Sequence, residues 1–458
     1  MQPAPEATLS LSQSRGRLLR ILGVGFGLAV TIGNTIAAGI VRTPGEIAAE
    51  LQNGWLFIGV WIAGGLYALL GAICVAELGT MIPRSGGQYV FARRALGEYP
   101  GFIVGWSDWL STCGTAAAVA FVIGEYTGAL VPSLGNRTVL IATLVVIAFA
   151  AVQWRGLRWG SNTQNVTSLL KALAFLALVA ACFLFGGRSL VGGSTAPAIP
   201  TGLPLFFALV LALQSVIYTY DGWAGPVYFS EEVENPERNI LRSLLGGVLS
   251  VMGIYLLVNL ALVYVLPMSR IAGEKFAMGL AAQAISGAYG DTIVRVVMIL
   301  SMLSGINAYH LMATRVLFAM SRDGLFSDRA VKVNEGGTPT ISLFVSLAVA
   351  VLFILLSGTF KKIIDALAFF FVANYTMSFL SVFVLRRREP DTPRPYHAWG
   401  HPWTTGVALV GSVVFLAGAI ASDIKTGQSS SIYAFGLLVA SYPLYRILKQ
   451  QAGGRVPG

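Results

Sequence analysis

Two stretches decide the fold of this chain: Gly33-Asn34-Thr35-Ile36-Ala37-Ala38-Gly39-Ile40 and Tyr220-Asp221-Gly222-Trp223-Ala224-Gly225-Pro226. Each lies inside a long apolar run, where a helix ought to be continuous. Glycine weakens a helix, and Pro226 removes a backbone donor outright. Non-helical backbone at membrane depth is tolerated only where protein buries it or a water-filled cavity meets it. Two interrupted spans, five apart in order, suit corresponding places in the halves of an inverted repeat, and such pairs mark transporter binding sites. The plainer use of the same glycines is close packing of helices.

The rest of the chain supplies the membrane context. Of 458 residues, 55% are hydrophobic and only 11% charged, whereas soluble domains carry about a quarter charged residues. About 20 apolar residues cross a bilayer as a helix, and such runs recur along the chain. Reading runs bounded by charges, prolines and glycines predicts about 12 spans. They fall near 21–41, 55–80, 101–131, 138–154, 166–187, 205–230, 243–266, 290–320, 340–357, 363–386, 404–422 and 431–447. The segment 269–287 is too short and polar to span and is expected as short helices over the outer mouth.

The net charge of +10 does not indicate nucleic acid, because basic residues are spread over short loops rather than clustered with aromatics on one face. Their distribution orients the chain instead. With both termini inside, roughly 20 of the Lys and Arg residues are cytoplasmic and about 9 lie outside. Arg15, Arg17, Arg20, Arg84, Arg93, Arg94 and Arg386-Arg387-Arg388 belong to the inner set. The polar start shows no cleavage site, so the first span is expected to be retained. Cys74, Cys113 and Cys182 all fall in apolar runs and read as small hydrophobes, with neither a disulfide framework nor a metal site indicated.

Several motifs together resemble the amino acid–polyamine–organocation (APC) superfamily, and within it the LAT-like amino-acid permeases. Ile36-Ala37-Ala38-Gly39-Ile40, then Pro44, resembles the glycine-rich break of helix 1. Glu77-Leu78-Gly79-Thr80-Met81-Ile82-Pro83-Arg84-Ser85-Gly86-Gly87-Gln88-Tyr89 is similar to the link between helices 2 and 3. Tyr218-Thr219-Tyr220-Asp221-Gly222-Trp223 resembles the helix-6 break, and Glu231 to Asn239 the loop after it. Arg315 to Gly324 is similar to the end of helix 8, and Arg394-Pro395-Tyr396 with Gly400-His401-Pro402 to the loop before helix 11. The resemblance covers nearly the whole chain, in order.

It implies an all-α membrane protein of about 12 helices with the LeuT-type fold, a 5+5 inverted repeat plus two extra helices. The expected organisation is a cytoplasmic tail 1–20, a first repeat 21–187, a second repeat 205–386, helices 11 and 12 over 404–447, and a tail 448–458. Two departures stand out. Ala37-Ala38-Gly39 replaces the frequent Gly-Ser-Gly, and Ala224 replaces an asparagine common in mammalian members.

An α-amino acid is a carboxylate and an ammonium one carbon apart. Half-helix N-termini offer free N–H groups and a positive dipole end to the first, and unwound carbonyls suit the second. On the family pattern the site comprises Thr35, Ala37, Ala38, Gly39, Tyr218, Asp221, Gly222, Val372 and Tyr375. The amides of Ala38 and Gly39 face the carboxylate, and the carbonyls of Thr35, Tyr218 and Asp221 the ammonium. Tyr218 holds an aromatic-gate position, while Val372 and Tyr375 reach the pocket from helix 10.

Intramembrane charges are costly and so are functional candidates. Asp221 either binds the ammonium, carries a proton or caps the broken helix. By the same resemblance Lys171 falls in the region where sodium-coupled cousins bind the ion, which implies sodium independence, although a lysine there can also snorkel to the interface. Asn307 and Tyr309 are expected near the same region. Asp108, Glu125 and Arg315 read as packing or pairing residues, and His310 as a structural histidine.

The function expected from the resemblance is secondary transport of small or medium neutral amino acids, by proton symport or exchange, in a bacterial inner membrane. Its partners are the amino acid, the bilayer and, for symport, protons, with no cofactor and no nucleic acid. A polyamine or organic-cation carrier of the same fold would want further acids in the pocket. A membrane enzyme would want an acid–base or metal constellation, and no His-Glu-x-x-His or Cys-x-x-Cys is present. A sensor would want an appended soluble domain, and midplane breaks suit alternating access better than an open pore.

Overall fold

The computed structural model describes residues 18–187, 202–356, 360–427 and 429–453. Arg15, Arg17 and parts of both expected tails lie outside them. Among the described residues the regular structure is helical, apart from the isolated bridges Leu22–Val233 and Val333–Pro339.

The first span is a bent pair, α1 (Val24–Thr35) and α2 (Ala38–Leu51), 41° apart. It is followed by α3 (Gly54–Met81), the short α4 (Gln88–Leu96), α5 (Glu98–Leu130), α6 (Thr138–Trp154) and α7 (Leu157–Phe185). The second half has α8 (Leu203–Tyr220), a 3₁₀ turn (Gly225–Phe229), α9 (Pro236–Val265), and the short α10 (Met268–Ile271) and α11 (Ala277–Ser286). Then come α12 (Ala288–Arg322), α13 (Thr340–Leu356), α14 (Phe360–Arg388), α15 (Trp403–Thr426) and α16 (Ser430–Gly453).

Among the described residues ten helices are long and apolar enough to cross a membrane, and the bent pair, taken as one span, makes up to eleven. The 17-residue apolar α13 occupies the place of the expected span 340–357. Short helices fill 268–286, as the sequence led us to expect.

Two span boundaries differ from expectation. Span 1 continues to Leu51, because Pro44 is accommodated within α2 instead of ending it. The helix of span 6 stops at Tyr220, since Asp221 turns to ψ 152° and the chain resumes only as a 3₁₀ turn.

Local sequence explains several ends. Asn53 caps α3 by accepting from the Trp55 and Leu56 amides, each at 3.0 Å, which satisfies donors that a helix start leaves free. The exterior is apolar. On α7, Leu169, Leu170 and Leu173 are exposed while Lys171 between them is buried. That pattern inverts a soluble helix and fits hydrocarbon as the surrounding solvent.

Packing in the second half echoes the first. α3 packs on α9 and α5 on α12; α1 packs on α9 as α8 does on α3; α7 packs on α12 as α14 does on α5. The N-terminal entry of α1 is fixed by the loop after span 6, where the Ile21 and Leu22 amides donate to the Glu232 carbonyl at 3.0 and 2.8 Å.

Candidate functional site

The two breaks meet at the centre of the molecule. Gly222 has φ +102°, and a Cβ there would stand 2.6 Å from Asn34 Nδ2 and 3.0 Å from the Thr35 nitrogen. Only glycine permits both that backbone conformation and that approach. Asn34 Nδ2 donates to the Gly222 carbonyl at 3.3 Å, so the breaks are also hydrogen-bonded.

Unwinding at Ile36 and Ala37 frees a run of carbonyls, and side chains from three other helices take them. Lys171 Nζ on α7 donates to Gly33 at 2.8 Å and Ile36 at 2.5 Å. Tyr309 on α12 donates to Asn34 at 2.8 Å, and Tyr255 on α9 reaches Thr35 at 2.6 Å. The opposite polarity is left open. No side chain caps the start of α2 at Ala37, so the positive end of a helix dipole is available to an anion.

Lys171 therefore does not snorkel. It is 2% exposed and spends its ammonium on the backbone of span 1. The Thr35 carbonyl, expected to face a substrate ammonium, already accepts from the Ala37 amide at 2.9 Å and from Tyr255. Two donors fill the two lone pairs of a carbonyl, so an ammonium reaching Thr35 would replace one of them. Two acidic residues, Asp108 and Asp221, line the central cavity.

That cavity is lined by Asp108, Asp221, Gly222, Tyr228, Tyr309 and Phe371 among others. Of the expected site residues, Asp221 and Gly222 line it. Tyr375 donates its hydroxyl to Asp221, and Tyr218 stacks on Phe371, with centroids 6.4 Å apart and planes at 28°. Thr35, Ala37, Ala38 and Gly39 are buried around the first break.

Val372 packs with Ile217 and Phe415, and its neighbour Phe371 lines the cavity from α14. Successive helical residues point about 100° apart, so a shift of one position exchanges the two.

Gly39 also has a packing role. A Cβ there would lie 2.9 Å from Thr219 Cα, so the glycine first permits α2 to lie against α8. Asp108, read from sequence as a packing residue, lies on the cavity. Glu125 and Arg315 do pair, with Arg42 and Glu232 respectively. Asn307 sits near the break through Gln164, at 3.0 Å, which itself donates to the Ala29 carbonyl. His310 is held by the Val146 carbonyl at 3.1 Å. Sequence reading missed Tyr255 altogether; an isolated tyrosine in an apolar run carries no signal of its partner.

An all-helical bundle with many candidate spans, two facing breaks, an uncapped helix start and a central polar cavity defines a membrane carrier. Comparison with known proteins places it. A family model described as amino acid permease matches residues 22–441. The serine/threonine exchanger SteT of Bacillus subtilis is 28% identical over 95% of this chain and 98% of its own length. The mouse b(0,+)-type amino acid transporter 1 is 25% identical over 85% of this chain and 81% of its own. The mouse Asc-type amino acid transporter 1 is 25% identical over 84% and 74%. The chain belongs to the amino acid permease family of the APC superfamily and is a multi-pass integral membrane protein. These relatives are transporters, not enzymes.

Proposed function

We propose that this protein carries small or medium neutral amino acids by alternating access, without sodium, and that it works by exchange. The single observation behind the reading is the pairing of Lys171 with the Gly33 and Ile36 carbonyls beside the uncapped start of α2. An ammonium fixed on those carbonyls takes the place a sodium ion would need, and like charges repel in a medium of low dielectric. The substrate carboxylate sits at the Ala38 and Gly39 amides, and its ammonium faces Asp221. Tyr218 with Phe371 closes one side and Tyr375 orients Asp221. The name of the exchanger from Bacillus subtilis favours exchange. Proton symport is the second reading, favoured by a carboxylate, Asp221, that lines the cavity without an ion pair among the described residues.

Residues 21–187 and 205–386 form the two inverted repeats in this reading, supported by the paired packing of helices five spans apart. Both termini lie in the cytoplasm of a bacterial cell, with the loop 82–97 on the same face, as the excess of basic residues there favours.

Purified protein in liposomes tests the reading. Exchange predicts uptake of labelled serine, threonine or alanine only into vesicles preloaded with amino acid, whatever the pH gradient. Uptake into empty vesicles driven by an inward proton gradient would favour symport. Accumulation driven by sodium would overturn both.

A further inference from the structure

The cavity extends past the helix breaks to a second carboxylate. Asp108 on α5 is 4% exposed and lines the same space as Asp221. Among the described residues neither has an ion pair. The hydrogen bonds to Asp108 Oδ1 and Oδ2 come from one group, the Tyr228 hydroxyl, at 2.7 and 2.9 Å. An ionised carboxylate accepts about four hydrogen bonds, so one shared proton leaves most of its capacity unused. A buried carboxylate in this condition is suited to a cation.

Tyr228 joins the cavity to the link between spans 2 and 3. It sits in the 3₁₀ turn after the second break, and its ring occupies the space where a Gly87 Cβ would fall, 2.4 Å from Cε1. The Gly86 amide donates to its carbonyl at 3.3 Å. The contacts thus tie the far half of span 6 to the loop 82–88, on the face closed by Arg84 and Arg93 with Asp323.

We propose that Asp108 is a second ammonium site, which receives the substrate's α-ammonium from Asp221 and replaces the Tyr228 hydroxyl with it on the way to the face carrying loop 82–97. This rests on the amino-acid transport reading above. The ligand is a primary ammonium one carbon from a carboxylate. Thr112 and Thr115 also line the cavity.

The experiment compares right-side-out with inverted membrane vesicles from expressing cells, measuring half-saturation for serine from each face. Asp108→Asn should raise half-saturation about tenfold on the loop 82–97 face, since a charged hydrogen bond is lost. The opposite face should stay within twofold of the parent. Tyr228→Phe keeps the carboxylate and removes its competitor, so half-saturation on that same face should fall. Opposite signs on one face are something a structural role would not produce. Equal shifts on both faces, or no shift in either variant, would overturn the proposal. If Asp108→Asn does not reach the membrane, the sign for Tyr228→Phe decides. Failure of the parent to transport any neutral amino acid would instead remove the reading on which the proposal rests.

Discussion

The carbonyls of Thr35 in the first break and Thr219 at the end of α8 are held by a single hydroxyl, Tyr255 Oη, at 2.6 and 2.9 Å. One proton serves two acceptors in different spans, and that couples the backbone of spans 1 and 6 through span 7. The side chain is buried and packs edge-on to Trp61 and Tyr220, so water does not take its place.

Tyr255→Phe removes that donor with almost no change of shape. Leaving buried carbonyls short of a partner costs about 1–3 kcal/mol. The variant should melt earlier in detergent and transport more slowly. A melting temperature and uptake rate equal to the parent's would show that the shared proton joins nothing that matters.

Lys171→Met keeps the length of the stem and removes the ammonium. The Gly33 and Ile36 carbonyls then lack a charged donor, whose hydrogen bonds are worth about 1.5–3 kcal/mol each. Transport should drop at least tenfold while the protein still reaches the membrane. Fluorescence-detected gel filtration reports the folded fraction, and counterflow in liposomes reports the activity. Full exchange in Lys171→Met would remove the lysine from the mechanism.

Gly39→Ala tests how closely α2 and α8 approach. The added methyl meets the Thr219 backbone at 2.9 Å, which cannot rotate aside as a flexible side-chain end can. Overpacking of this kind costs about 1–3 kcal/mol. Both thermal stability and transport should fall together. A loss of transport with no loss of stability would instead assign Gly39 to substrate contact alone.

Arg315 and Arg94 give a matched contrast. Arg315 bonds Glu232 at 2.8 Å and both side chains are fully buried; Arg94 bonds Glu389 at 2.6 Å near the surface. Breaking a buried pair by removing one partner costs about 3–5 kcal/mol, and an exposed pair about 0–1 kcal/mol. Arg315→Leu should therefore abolish the folded protein where Arg94→Leu is nearly silent. The Arg94 guanidinium holds the Glu389 carboxyl below its ordinary range. A depressed folded pKa contributes stability above the unfolded value and loses it as pH falls through the folded one. The small effect of Arg94→Leu should thus vanish in acid, as melting curves taken across the acidic range would reveal.

The sequence by itself determined what depends on neighbours along the chain. Apolar runs of membrane length, the glycines and proline that interrupt spans 1 and 6, and the short helices between spans 7 and 8 all follow from local composition. Lys171 could be singled out because a charge in an apolar run is costly wherever the run packs. Tertiary structure alone decided which partners the broken backbone receives. Tyr255 lies 220 residues from Thr35, and Tyr309 275 from Asn34. No local pattern marks those separations. Phe371 and Val372 are both apolar and adjacent, so only the rotation of α14 against α8 and α15 selects the one that faces the cavity. Asp108 reads as one more polar residue of span 3, and only packing brings it beside Tyr228 with no ion pair among the described residues. Helix formation is a local preference, whereas satisfaction of buried polar groups depends on which surfaces the folded bundle brings together.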